Sequence, residues 1–353
     1  MHRPAASWLG LGAATVALGW LLERLSVPSA YLFAALLLGL AVALRWPDRM
    51  AVPPRAFTAA QAITGVVLGA YLQSSSLTAV AHSWLPVTLV SAGTLAVCLA
   101  AGVVLARTTE MDEPTAALGM VAGGASGIVA MARDLGGDDR LVAFMQYARV
   151  LVVVLLTPIL AGLLFPGGHA AAGATADGPL IGPAKDWAIT LACAPLGVLL
   201  GRAVRLPAGA LLGPMAIAGA LTLTGALGHF SVPALLREAA FIGIGLQVGL
   251  RFTVATVRQL GRLLVPVLIS IAALMVACFG LAVLLDLTTP VSLEDAYLAT
   301  TPGGLYAVLA VAFGAGANTT FILAVQGLRL LVMVLLAPVV VRRMVRGRAT
   351  IRA

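Results

Sequence analysis

The sequence predicts an all-α polytopic membrane protein built from two internal repeats, with about 10–12 membrane segments and Gly-Gly-broken or re-entrant elements. Three observations carry this reading. Apolar residues make up 61% of the chain and charged residues 10%, with a mean hydropathy of +1.03; a soluble chain carries roughly a quarter charged residues. Apolar stretches at 84–106 and 263–285 exceed the ~20 residues that a bilayer core demands. Finally, the sequence overlays itself when shifted by 180 positions.

Taken in order, the first apolar stretch, Trp8–Leu22, runs into Glu23–Arg24 rather than a small-residue cleavage site, so it reads as a transmembrane helix rather than a signal peptide. The first repeat covers about 8–163, with apolar segments at 8–23, 29–44, 56–72, 84–106, 114–132 and 141–163. A linker follows at 164–186; its "PGGHAAAGATADGPLIGPAKD" is a Gly/Ala/Pro stretch too short to fold alone. The second repeat, about 187–342, has segments at 187–201, 208–228, 238–250, 263–285, 296–314 and 319–341. A basic tail, 342–353, closes what reads as one transmembrane domain.

The repeat rests on polar and conformationally special residues, because coincidences among Leu, Val and Ala are cheap. Gly123–Gly124 fall on Gly303–Gly304, Gln146 on Gln326, Arg149 on Arg329, and Pro158 on Pro338. Cys98 meets Cys278, Pro86 meets Pro266, and Gly65 and Gly69 meet Gly245 and Gly249. With a one-residue slip, "VPSAYLFAALLLGLA" matches "LPAGALLGPMAIAGA", pairing Pro28 with Pro207. The distribution of basic residues addresses orientation. Leaving aside Arg149 and Arg329, which lie inside segments, 17 of the remaining 20 basic residues lie inside and 3 outside (Arg24, Lys185 and Arg237) if the two Gly-Gly segments enter and return; twelve full crossings give 12 and 8. The positive-inside bias favours the first arrangement, hence five crossings per half, inverted repeats and cytoplasmic termini.

Charge and composition narrow the function classes. The net charge of +8 is spread between apolar runs and in the tail, as membrane anchoring requires, and no segment supplies a nucleic-acid reading head. Cys98, Cys193 and Cys278 lie inside apolar runs as small hydrophobes, and the four histidines are scattered, so no metal site is expected. All fourteen acidic residues fall at segment ends or in loops. Cation/proton antiport relies on a carboxylate inside a span, so an anionic or neutral organic solute fits better. Polar spots at Gln73–Ser76 and Asn318–Thr320 read as solvated loops.

Two constellations are candidate sites. Irregular backbone at membrane depth is tolerated where it is buried in protein or lines a wet cavity, so a Gly-Gly interruption in each half implicates Gly123, Gly124, Gly303 and Gly304 in substrate binding. Ser126 and Tyr306 follow each interruption closely enough to be turned inward. Close helix packing through small residues is the competing reading. The second constellation is Gln146 with Arg149 and Gln326 with Arg329, each pair three residues apart and so on one helix face. Three roles stay open for these arginines: contact with an oxyanion through the guanidinium fork, structural support of the broken element, and snorkelling to an interface.

The stretches "LPAGALLGPMAIAGALTLTG" and "ATTPGGLYAVLAVAFGAGANTTFILAVQGLRLLVMVLLAP", with their first-half counterparts, resemble the AbrB family of internally duplicated bacterial membrane proteins, over about residues 10–342. Members often carry the labels ammonia monooxygenase or regulator of gene expression. The resemblance also implies a distant likeness to inverted-repeat secondary transporters with crossed, discontinuous helices, such as bile-acid and auxin-type carriers. In one respect the first half departs from the second: "PSAYLFAALL" lacks the glycine and proline of "GALLGP". The expectation is therefore a secondary transporter of a small organic anion or neutral metabolite in the bacterial inner membrane, working by alternating access. No cofactor, catalytic residue or metal is expected, nor any nucleic-acid partner. Na⁺ or proton coupling and a homodimer stay open. The alternative is a membrane-embedded sensor or accessory protein that affects gene expression indirectly, and an integral-membrane monooxygenase is disfavoured.

Overall fold

The computed structural model describes residues 4–25, 27, 29–47, 49–72, 78, 82–122, 128–129, 132, 135–165, 180–206, 208–226, 228, 230–251 and 261–352. Among them the regular structure is helical throughout. The helices are α1 (Pro4–Arg24), α2 (Ala30–Arg45), α3 (Pro54–Ala70), α4 (Trp84–Thr108), α5 (Glu113–Met120), α6 (Asp139–Leu164) and α7 (Ala184–Ala203). They continue with α8 (Gly209–Thr224), α9 (Ala234–Gly249), α10 (Leu264–Thr288), α11 (Leu293–Thr300), α12 (Leu305–Gly314) and α13 (Thr319–Arg352).

Five stretches of described helix are long and apolar enough to cross a membrane: Trp84–Thr108, Asp139–Leu164, Ala184–Ala203, Gly261–Thr288 and Thr319–Arg343. Ala30–Arg45 and Gly209–Thr224 are shorter apolar helices. Large apolar side chains lie open on the long helices, including Leu89 (60% exposed), Leu199 (63%), Ile269 (63%), Val276 (74%) and Leu335 (65%). Such a surface is stable against acyl chains and an aggregation hazard in water. Neither expected Gly-Gly segment is one continuous helix: α5 stops at Met120, and 296–314 divides into α11 and α12 around Thr301–Gly304.

The chain forms two compact units. One takes Met1–Leu77, Thr157–Ala255 and Tyr306–Thr320; the other takes Thr78–Leu156, Thr256–Leu305 and Phe321–Ala353. The chain passes from one to the other inside α6, just before Pro158, and again at the start of α12.

In the first unit α2 packs on α9 and α3 on α8, with α1 against α2 and α7 against α8. Glycine makes the two central contacts close. A β-carbon on Gly65 would collide with the carbonyl of Leu211, and one on Gly245 with the carbonyl of Leu32. Gly69 and Gly249 repeat the arrangement one turn further on, against Met215 and Leu36. Gly213, which the first half lacks, serves the same purpose between α8 and Gly197 of α7. Ser29 and Ala208, immediately before α2 and α8, adopt left-handed backbone (φ 52° and 53°), which costs a non-glycine residue roughly 1–2 kcal/mol. The Ser29 hydroxyl donates to the carbonyl of Ala310 in α12, seating that helix in this unit.

In the second unit α4 packs on α10, α5 on α4, and α11 on α10. The eight-residue helices α5 and α11 are short for independent stability, and both are capped at their N-termini. The Asp112 carboxylate accepts from the Thr115 amide (3.0 Å), and the Ser292 hydroxyl accepts from the Asp295 amide (3.1 Å). Cys98 on α4 and Cys278 on α10 are free and buried, as apolar filling.

Gly245→Val is expected to lower stability by about 1–3 kcal/mol, read as a lower thermal midpoint in detergent. Gly280→Ala, where a β-carbon meets nothing within 4 Å, should leave the midpoint unchanged or raise it slightly. An unchanged midpoint for Gly245→Val contradicts the packing.

Candidate functional site

A helix that stops inside a protein leaves its last carbonyls without intrahelical donors, and burying them unpaired costs roughly 1–3 kcal/mol each. Both α5 and α11 stop this way: Val121 and Thr301 turn to extended backbone (ψ 122° and 128°). The donors come from α6 and α13. Gln146 Nε2 donates to the carbonyls of Leu118 and Val121, both at 2.8 Å. Arg149 Nη1 donates to Met120 at 3.1 Å and to Val121 at 2.9 Å, while Nη2 holds Gln146 Oε1 at 2.8 Å.

The same arrangement recurs 180 residues on. Gln326 Nε2 donates to Leu298 (2.9 Å) and Thr301 (3.2 Å). Arg329 Nη1 donates to Thr300 (3.1 Å) and Thr301 (2.7 Å), and its Nη2 donates to Gln326 Oε1. Each Gln-x-x-Arg pair is thus a clamp on three carbonyls at a half-helix end, with the carbonyl where the helix breaks held twice. Arg suits the position because its planar fork reaches a row of oxygens that an ammonium cannot span. Its charge also opposes the negative end of the helix dipole.

The glutamines are 0% and 1% exposed and both arginines 3% exposed. Snorkelling is therefore overturned: the guanidiniums point into protein because the carbonyls that satisfy them lie there. Among the described residues neither guanidinium meets a carboxylate, and the Nε of each has no hydrogen-bond partner.

The other expected site residues divide three ways. Gly123, Gly124 and Ser126 lie outside the described residues. Gly303 and Gly304 form the interruption between α11 and α12; the Gly303 amide donates to Thr301 at 2.9 Å, and Gly304 faces Val150 of α6. Tyr306 is the second residue of α12. Thr320 is 4% exposed at the start of α13, not part of a solvated loop, because the first turn of that helix is packed inside.

Sequence reasoning missed several contributors. Asp112-x-x-Thr115 and Ser292-x-x-Asp295 are capping patterns legible in the sequence. Thr301, whose side-chain oxygen is buried with no partner among the described residues, has no sequence signal. In the first unit Phe313 of α12 meets Tyr71 and Phe241 edge-on (centroids 4.8 and 6.2 Å), with the Arg237 guanidinium 5.7 Å from its ring. Arg237 also pairs with Glu238 at 2.9 Å. Asp186, expected at the end of the linker, is buried in the first turn of α7 and accepts from the Ser231 amide and hydroxyl.

The helices and clamps together define a helical protein of membrane type with interrupted, internally sealed helices. Residues 31–345 match the family model described as "Transition state regulatory protein AbrB". The chain is 35% identical over 317 residues to the Escherichia coli protein named "Putative regulator AbrB", covering 90% of each chain. It is 27% identical over 305 residues to "Uncharacterized protein YhjN" of Bacillus subtilis, covering 83% of this chain and 79% of that one. The chain belongs to the AbrB family.

Arg149→Met removes three hydrogen bonds and leaves the Met120 carbonyl without its donor. A stability loss of about 2–5 kcal/mol is expected, seen as a lower thermal midpoint in detergent, with a comparable loss for Arg329→Met. Unchanged midpoints contradict the clamp.

Proposed function

We propose that the protein is a secondary transporter of a small organic anion or neutral metabolite, embedded in the bacterial inner membrane with both termini cytoplasmic. The observation that carries this reading is the interrupted helix α11–α12, buried and sealed by a polar clamp. Non-helical backbone at membrane depth is expensive and persists where it is buried in protein or lines a cavity, and transporters place interrupted helices at their substrate sites. Alternating access works by movement between two bodies, and the chain divides into two compact units. An internal repeat is supported by the recurrence of both clamps and both glycine contacts at the same 180-residue offset, and its inversion by the basic-residue distribution. In this role the chain performs no bond chemistry and needs neither cofactor nor nucleic acid.

The names of the Escherichia coli relative and of the family model favour a second reading, a membrane-embedded sensor with an indirect effect on gene expression. A metabolite carrier reconciles the two, because moving a regulatory metabolite changes expression without contact with DNA. Proteoliposome flux separates them. The purified protein is expected to accelerate equilibration of a small organic solute, and an imposed Na⁺ or proton gradient identifies the coupling ion. Ligand binding without flux for any binding solute contradicts transport and leaves the sensor.

A further inference from the structure

Helix α13 is longer than a membrane needs. Its 34 residues measure about 50 Å at the α-helical rise, against a hydrocarbon core of about 30 Å. The membrane-crossing stretch is Thr319–Arg343, and the helix runs on to Arg352. Its C-terminal part therefore leaves the apolar layer as continuous helix, at the depth of the lipid headgroups.

Two rows of residues run along this helix. Leu331, Leu335 and Val339 are exposed, each four residues from the last, with exposed Leu336 beside them; that spacing places them on one face. Met333, Ala337 and Val341, also four apart, are buried and mark the other face. The exposed row then changes chemistry within one turn. Arg342 lies three residues after Val339 and Arg343 seven after Leu336, so both continue it, and both are exposed. Arg346, four residues after Arg342, keeps the same register.

Nothing acidic balances these charges locally. The sequence has no carboxylate from residue 296 to residue 353, and among the described residues neither Arg342 nor Arg343 meets one. A topological signal needs only basic residues near the end of a span. Here both arginines also lie on the row that faces acyl chains, where a guanidinium fork matches the oxygens of a phosphate.

We infer that this face of α13 binds an anionic phospholipid, with an acyl chain along Leu335, Leu336 and Val339 and the headgroup phosphate on Arg342 and Arg343. All five residues belong to the second unit. The site goes beyond the transport reading: it rests on α13 crossing a membrane and is independent of any cargo.

The test uses the purified full-length chain, delipidated in a neutral detergent, with its thermal midpoint followed as dioleoylphosphatidylglycerol is added. Dioleoylphosphatidylcholine, which has the same acyl chains, and inorganic phosphate are the comparisons. A saturable rise with phosphatidylglycerol that weakens with salt is expected, and a clearly smaller one with either comparison. An arginine near an anionic lipid surface is worth about fivefold in affinity. Arg342→Gln with Arg343→Gln should therefore raise the half-saturating lipid fraction about thirtyfold. Arg348→Gln with Arg352→Gln, at positions that follow the Val341 row by register, should cost clearly less. Equal rises with the two lipids, or equal losses in the two double variants, overturn the site. A rise with inorganic phosphate as large as that with phosphatidylglycerol assigns the arginines to a soluble anion and overturns it as well. If the Arg342/Arg343 variant does not fold, the wild-type contrast between the two lipids still decides. Solute flux without lipid preference removes the site and leaves transport standing; lipid preference without flux leaves the site standing and removes transport.

Discussion

A backbone carbonyl buried without a donor is the constraint around which this protein is arranged. Two helices stop short, at Met120 and Thr300, inside protein rather than in solvent. Water cannot satisfy their ends, and the chain does so with a long polar side-chain pair from a neighbouring helix. The cost is a guanidinium held away from water, about 2.5–3.5 kcal/mol at a helix centre on insertion scales. Three hydrogen bonds per guanidinium and the opposing helix dipole offset it. Gln and Arg are coupled through Oε1 and Nη2, so neither works as well alone. The arginines hold broken backbone in place.

The second constraint is closeness. Short helices such as α2, α3, α8 and α9 gain little from burying Leu and Val against lipid, which is equally apolar. Their association depends on backbones approaching until the van der Waals contacts are dense. Glycines at 65, 69, 245 and 249 make that approach available, and the same requirement explains why they occur at matching offsets. The second unit lays capped half-helices against the long helices α4 and α10, and Gly102 of α4 lets the backbone of α5 come close at Ala117. The α11–α12 connection joins these two solutions in one stretch of chain. Its α11 end is held by the Gln326–Arg329 clamp. The α12 helix is seated by Ser29 and by the edge-on contacts of Phe313 with Tyr71 and Phe241, beside the Arg237 guanidinium.

Much of this was legible in the sequence because its signals are expensive. An Arg within an apolar run and a Gly pair in the middle of a span are unfavourable unless used, and both recur at 180 residues. The helical class followed from hydropathy alone. What the arginines touch was not legible: substrate contact, structural support and snorkelling require the same residue types at the same spacing. Only the position of the Met120 and Thr301 carbonyls separates them. The division of 296–314 into two helices followed from the Gly pair, but the identity of Thr301 as the doubly held residue did not. Its role comes from backbone geometry rather than from its side chain. Asp186 was misplaced for a related reason, since "GPAKDW" reads as linker until Ser231 supplies the partner that brings the carboxylate into α7.

The most direct test of the clamp is a double-mutant cycle on Gln326 and Arg329, using Gln326→Leu, Arg329→Met and the double variant, with stability read as the thermal midpoint of the detergent-solubilised protein. Because the two side chains bond each other and share the Thr301 carbonyl, the account predicts a coupling of about 1 kcal/mol or more, the double variant losing clearly less than the two single losses added. Additive losses would show that the residues act independently and that α11 is held at its end by something other than the clamp.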